Sequence, residues 1–210
     1  SVPRAAFAWV TRKLMGKVGI PVITSNRINS PEVAEDVLAT GCADMVSMAR
    51  PMLADADFVS KAMAGNSEQI APCIACNQAC LDHTFSGKIS SCLVNPRACY
   101  ETELNIEPAG TTKSIAIVGA GPAGLSTAIT AAQRGHSVTV FDRADQIGGQ
   151  LNMARQVPGK EEFHGLVDWY RTMVRETGVT IELSREVTAP DLDGFDEVVV
   201  ATGVVPRDPE

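Results

Sequence analysis

Ser114-Ile-Ala-Ile-Val-Gly119-Ala-Gly121-Pro-Ala-Gly124 is the stretch on which the fold turns. An apolar, strand-forming run leads directly into three glycines spaced Gly-x-Gly-x-x-Gly. The residues after them, Pro122 to Arg134, carry Ala and Leu at helical intervals until Gly135. A second strand-like run, Ser137 to Phe141, ends at Asp142. Strand, glycine turn, helix and strand in this order open a Rossmann-like dinucleotide-binding unit. Each residue type has a reason: Gly119 permits the tight turn, Gly121 lets the backbone approach a pyrophosphate, and Gly124 lets helix and strand pack closely. Asp142 can accept from a ribose hydroxyl.

Further on, the pattern predicts a helix around Glu162 to Glu176 and strands at Val179 to Leu183 and Glu197 to Ala201. The glycine fingerprint does not separate NAD from FAD. Gly148-Gly149-Gln150 and Ala201-Thr202-Gly203 tilt the choice to FAD, because both look like accessory flavin motifs of two-nucleotide, disulfide-reductase-type flavoproteins.

Upstream lies a stretch of weak periodicity, from Gly65 to Thr112, that holds five of the six cysteines. Its centre reads Cys73-Ile-Ala-Cys76-Asn-Gln-Ala-Cys80, with Cys92 beyond a longer excursion through Gly87. Thiolates at this spacing suit an iron–sulfur cluster, whose iron corners take soft anionic sulfur. Zinc also takes four thiolates, although paired Cys-x-x-Cys knuckles are its usual form. Cys99 rivals Cys92 as fourth ligand, His83 could replace a thiolate, and Cys42 reads as a small buried hydrophobe.

The first third contains a predicted helix from Arg4 to Val18, with Phe7, Val10, Leu14 and Val18 on one face. Then come a strand at Val22 to Ser25, a helix from the cap Ser30 through Pro31 to Thr40, and a strand at Asp44 to Ala49. Strand–helix–strand with a short link makes the strands parallel, and parallel strands are normally buried on both faces. More strands than these are therefore expected, with truncation at the N-terminus. Asn26-Arg27 and Ala49-Arg50 each follow a strand, where α/β barrels bind ligands, and arginine offers an always-charged fork for phosphate.

The bulk numbers agree with a soluble α/β protein: 210 residues, 45% hydrophobic, net charge −7. That balance argues against nucleic acid, which would want a basic stripe. There is no apolar run long enough for a membrane helix and no signal-peptide core, and thiols spaced as ligands suggest a reducing cytoplasm.

The cysteine run, Ser91-Cys-Leu-Val-Asn-Pro-Arg-Ala-Cys99, Asn26-Arg27-Ile-Asn and Ser47-Met-Ala-Arg50-Pro together resemble the bacterial-type NADPH-dependent 2,4-dienoyl-CoA reductases. These sit within the NADH:flavin oxidoreductase group, with old yellow enzyme-like barrels and trimethylamine dehydrogenase, and the likeness spans essentially the whole chain. It implies three segments: residues 1–66, the C-terminal end of an FMN-binding (β/α)8 barrel; 67–112, a [4Fe–4S] segment and linker; and 113–210, an FAD-binding Rossmann-like domain. It implies electrons passing from NADPH to FAD, cluster, FMN and a 2,4-dienoyl-CoA thioester of fatty acid β-oxidation. Residue by residue, Arg27, Ala49 and Arg50 would hold FMN. Cys73, Cys76, Cys80 and Cys92 would ligate the cluster, leaving Cys99 out. Gly119, Gly121, Ala123, Gly124, Asp142, Gly149 and Gln150 would line FAD.

The departures from the family pattern also shape expectation. Only the last two barrel strands fit, the tyrosine and histidine proton donors expected upstream have no counterpart, and Tyr100 and Tyr170 do not replace them. No catalytic residue is therefore assigned. No second glycine fingerprint for NADPH follows Gly203. The expectation is an internal fragment of a reductase; an electron-carrier subunit, a relative acting on other enoates or amines, and a zinc-stapled scaffold are the alternatives. Residues 1–210 alone are expected not to oxidise NADPH with a dienoyl-CoA, and measurable turnover in that assay would overturn the expectation.

Overall fold

The computed structural model describes residues 2–205 and 207. The chain divides into two compact units, Ser1–Leu104 and Asn105–Glu210.

The first unit runs α1 (Ala8–Arg12), β1 (Ile23–Ser25), α2 (Pro31–Ala39), β2 (Met45–Ser47), α3 (Arg50–Ala54) and α4 (Phe58–Met63). The two strands pair in parallel, Ile23 opposite Met45 and Ser25 opposite Ser47. Helix α2 starts as its sequence demands. The Ser30 hydroxyl accepts from the Val33 N–H at 3.4 Å, and Pro31 occupies the first turn, where no donor is needed. Its Val37 packs with Ala8 and Cys42, so Cys42 is the buried hydrophobe its position suggested.

The strand pair covers one face only among the described residues: Thr24 is 2% exposed, whereas Ile23 and Met45 are 53% and 54% exposed. The helix expected from Arg4 to Val18 shortens to Ala8–Arg12, with turns on either side. Its apolar stripe of Phe7, Val10, Leu14 and Val18 is exposed. A short amphipathic helix draws its stability from burying that stripe, so a stripe without cover does not hold the outer turns.

Buried Asp55, at the end of α3, ties the entry of the cysteine segment back to the turn before α4. One carboxylate oxygen accepts from the Ala71 N–H at 2.8 Å and the Lys61 ammonium at 2.6 Å; the other accepts from the Asp57 N–H at 3.0 Å. The segment is loop-rich as expected. Its regular pieces are a 3₁₀ turn at Ser67–Gln69, a π-helical turn at Gln78–Asp82 and the single-turn α5 (His83–Phe85).

The second unit contains β3 (Ser114–Val118), α6 (Pro122–Gln133), β4 (Ser137–Phe141), α7 (Leu151–Ala154), α8 (Glu162–Glu176), β5 (Thr180–Glu182) and β6 (Glu197–Val200). All strand pairs are parallel, in the order β5-β4-β3-β6. The core is built from the β-branched and leucine positions read as strand and helix interiors: Ile117, Leu125, Val140 and Val167 are fully buried. On α8, Leu166, Val167, Tyr170 and Val174 form the buried face, and the Tyr170 hydroxyl hydrogen-bonds that of Ser126 on α6 at 2.8 Å. No helix among the described residues is long and apolar enough to cross a membrane.

Gly124 is where this core tolerates least. A Cβ there would lie 1.9 Å from the Gly119 carbonyl oxygen, whereas one at Gly121 would meet nothing within 4 Å. Gly124→Ala is expected to destabilise the unit by about 3 kcal/mol or more. Gly121→Ala, at a helix cap with an ordinary φ of −80°, should cost no more than ~1 kcal/mol. Urea denaturation midpoints of the two variants would check the contrast.

Candidate functional site

The first unit gathers Cys73, Cys76, Cys80 and Cys92 around one cavity, walled by Leu53, Ile74, Ala79 and Leu93. The run from 73 to 80 closes on itself because Ala75 and Asn77 adopt left-handed backbone, φ 54° and 62°. Non-glycine residues rarely take this conformation, and such strain persists only where surrounding contacts fix it. Here they do. The Asn29 side chain donates to the Cys73 carbonyl at 3.4 Å, Asn95 donates to the Leu53 carbonyl at 2.9 Å, and Arg50 donates to the Asn77 side-chain oxygen.

The excursion between Cys80 and Cys92 is pinned as well. Thr84 Oγ1 donates to the Cys80 carbonyl at 2.9 Å, Ser90 Oγ does so at 3.4 Å, and the Ser91 N–H reaches the Ala79 carbonyl at 2.7 Å. These bonds bring Cys92 back to the other three. His83 does not line the cavity; its Nδ1 pairs with the Ile89 carbonyl at 3.0 Å, so it staples the excursion. Cys99 is exposed, at φ 66°, and its N–H donates to Glu101 Oε1 at 3.0 Å. Between the two rivals, the structure brings Cys92 to the cavity.

Electrostatics at the cavity pull both ways. Burial pushes the Cys73 thiol up, while the Ala75 backbone N–H and the Arg50 charge favour its thiolate and the neighbouring Cys92 and Cys76 oppose it. Burial likewise pushes Cys92 up, offset by the Asn95 and Val94 N–H groups and opposed by Cys76 and Cys80. As thiolates, Cys73 and Cys92 would be both desolvated and repelled by neighbouring cysteines, a penalty that a cationic inorganic centre would offset. Among the described residues, no three His, Cys, Asp or Glu side chains are placed to hold a single metal ion. A lone zinc would draw all four sulfurs onto one point, whereas a four-iron cluster spreads them over four corners. Thiols arranged around a cavity, with backbone N–H groups aimed at sulfur, fit the cluster.

The two arginine motifs leave the same edge of the β1–β2 pair, since Ser25 lies opposite Ser47. Arg27, at φ 56°, donates from Nε to the Val2 carbonyl at 2.8 Å and accepts at its own carbonyl from Ala5 N–H at 2.9 Å. Ala49 caps α3, and Arg50 opens it, facing the cysteine cavity.

In the second unit the glycine fingerprint has the geometry its sequence implies. Gly119, at φ 116°, would place a Cβ 2.3 Å from the Ala201 carbonyl oxygen, so the β3 and β6 ends touch only because no side chain intervenes. The Gly148-Gly149 loop folds onto it: the Gly148 N–H donates to Ala120 O at 2.8 Å, and a Cβ on Gly149 would come within 3.0 Å of Gly121 Cα. Asp142 accepts from the Ala120 N–H at 2.6 Å and the Ala144 N–H at 2.8 Å. It thus ties the turn after β3 to the turn after β4, and each carboxylate oxygen keeps a lone pair for a ribose hydroxyl.

A cavity of about 310 Å³ at this sheet edge is lined by Gly119, Asp142, Arg143, Arg185, Thr202 and Gly203, among others. Of the expected FAD residues only Gly119 and Asp142 line it; Gly121, Ala123, Gly124, Gly149 and Gln150 lie outside, and the Gln150 amide donates to the Val204 carbonyl at 3.1 Å. Arg143 and Arg185 were not singled out by sequence. Arg185 stacks its guanidinium 5.0 Å from the Phe141 ring centroid, and no spacing rule announces that contact.

Two outcomes check these sites. Cys80→Ser or Cys92→Ser should lose most of the bound iron and sulfide, whereas Cys99→Ser should keep both, measured by metal and acid-labile sulfide analysis. Gly121→Ala should retain the fold but weaken dinucleotide binding by about tenfold or more, as a methyl group replaces the open approach to the pyrophosphate; flavin retention through gel filtration reads it.

Residues 1–69 match the NADH:flavin oxidoreductase / NADH oxidase family, and residues 117–177 match an NAD(P)-binding Rossmann-like domain. The chain is 44% identical over 215 residues to a metal reductase of Desulforamulus reducens, covering 100% of this chain and 32% of the relative. It is 34% identical over 197 residues to a cinnamate reductase of Clostridium sporogenes, covering 90% of this chain and 29% of that protein. Among solved structures, a 2-naphthoyl-CoA reductase in complex with 2-naphthoyl-CoA superposes with a TM-score of 0.95 at 32% identity, over 99% of this chain and 32% of that one. The chain spans about a third of the length of these relatives. Its N-terminal third is thus similar to a segment of the NADH:flavin oxidoreductase / NADH oxidase family, and residues 117–177 to an NAD(P)-binding Rossmann-like domain.

Proposed function

We propose that the chain is the electron-transferring part of a flavin-dependent reductase that uses NADPH to reduce the conjugated double bonds of 2,4-dienoyl-CoA thioesters. What supports this most is the convergence of four cysteines on one apolar cavity in a chain that also carries a complete glycine fingerprint. Cys73, Cys76, Cys80 and Cys92 would hold a [4Fe–4S] cluster. Gly119, Gly121, Gly124, Asp142 and Gly149 would hold the FAD, with Ala123 and Gln150 beside it, and Arg27, Ala49 and Arg50 would hold the FMN. When bound, the flavins exchange hydrides and the cluster passes single electrons between them.

The protein's own residues supply what such cofactors need. The left-handed loop presents N–H groups to sulfur, buried Ile74 and Ala79 flank the cysteines, and the edge of the parallel sheet presents backbone N–H groups and the start of α6 to a pyrophosphate. The naphthoyl-CoA reductase likeness favours a CoA thioester with conjugated unsaturation. The relative at 44% identity favours a second outcome, delivery of electrons to an oxidised metal ion.

The intact protein, purified without oxygen, should contain about four irons and four sulfides with flavin, and should oxidise NADPH when given a 2,4-dienoyl-CoA. Stoichiometric zinc without sulfide would defeat the cluster assignment. NADPH oxidation with ferric citrate but not with the thioester would replace the substrate and leave the cofactors standing.

A further inference from the structure

Taking the four cysteines as cluster ligands, we propose that Arg50, held in place by Asn77, is a fixed cation that raises the electron affinity of the centre in the cysteine cavity. Arg50 is the only charged side chain besides the cysteines in the cavity lining described here. Its backbone is set by the first turn of α3 rather than by a loop, and its Nη1 donates to Asn77 Oδ1. Asn77 stands between Cys76 and Cys80 at φ 62°, so the same side chain that bends the cysteine loop also keeps the guanidinium on the cavity side. Asparagine suits this place because it tolerates left-handed backbone better than other non-glycine residues. Asp82, Lys88 and Arg97, the other charged residues between Cys73 and Cys99, lie outside the lining.

The sign follows from charge alone. Accepting an electron makes a thiolate-bound centre one unit more negative, and a neighbouring cation stabilises that state. Ile74 is buried and Leu53 half-buried beside the cavity, whereas Leu93 is 57% exposed, so the attraction is screened less than in open water but not removed from solvent. The remaining N–H donors of Arg50 are free to serve a phosphate as well, which makes the role compatible with FMN binding. Asn77 is a positioning residue: it carries no charge and acts through Arg50.

The test is a potentiometric titration of the cluster, followed by electron paramagnetic resonance, on the intact protein and on Arg50→Gln, Asn77→Gly and the double variant. Iron and sulfide are assayed in each. Arg50→Gln should retain the cluster and lose about tenfold in electron affinity, ~59 mV for one electron. Asn77→Gly keeps a residue able to adopt φ 62° and should shift the potential the same way by less. The double variant should fall no lower than Arg50→Gln, because the two residues act as one unit.

A wild-type potential in Arg50→Gln, or single shifts that add in the double variant, overturns the proposal. Should Arg50→Gln fail to hold iron, Asn77→Gly decides: a lowered potential supports the proposal and an unchanged one overturns it. Absence of iron and sulfide from the unmutated protein is read separately, and it would remove the cluster assignment and this role together.

Discussion

Parallel pairing constrains both units more than any single contact. Strands that run the same way end at the same edge, so the turns that follow them are neighbours whatever their separation in sequence. In the second unit this gathers the turns after β3, β4 and β6: Gly119 meets Ala201 backbone to backbone, and Asp142 reaches across to Ala120. In the first unit the register of β1 on β2 sends Asn26-Arg27 and Ala49-Arg50 out from one edge. The candidate residues outside the cysteine loop follow from that geometry.

The cysteine segment obeys different physics. It has no strand and almost no helix to satisfy its backbone, so its shape rests on side chains reaching over from ordered elements. Asn29 follows β1, Arg50 opens α3 and Asn95 returns to α3, and each bonds a backbone or side-chain group across the loop. The loop is thereby a dependent of the first unit. Its left-handed residues are held by these contacts together with the π-helical turn that places Cys80.

The two sites also meet charge in opposite ways. At the sheet edge of the second unit, backbone N–H groups, Arg143 and Arg185 give an open, partly polar cavity suited to an anionic, solvent-linked ligand. In the cysteine cavity, burial penalises the thiolates, and one arginine with a few amides offsets that penalty only in part. The remaining penalty is what a cationic centre bound to these sulfurs would offset, as proposed above.

The sequence by itself determined the elements whose signals are local. Glycine spacing and β-branched runs marked β3, α6 and β4, the Ser30-Pro31 cap marked α2, and the thiol spacing marked the cysteines that line the cavity, apart from one open choice. Those signals are legible because backbone conformation and capping depend on near neighbours. Tertiary structure decided the rest. It chose Cys92 over Cys99 through bonds that fold the excursion back, and it made His83 a staple. It brought Arg185 onto Phe141, left the stripe of α1 uncovered, and turned Arg50 toward the cysteines. Each of these depends on contacts between residues far apart in the chain, which no local pattern encodes.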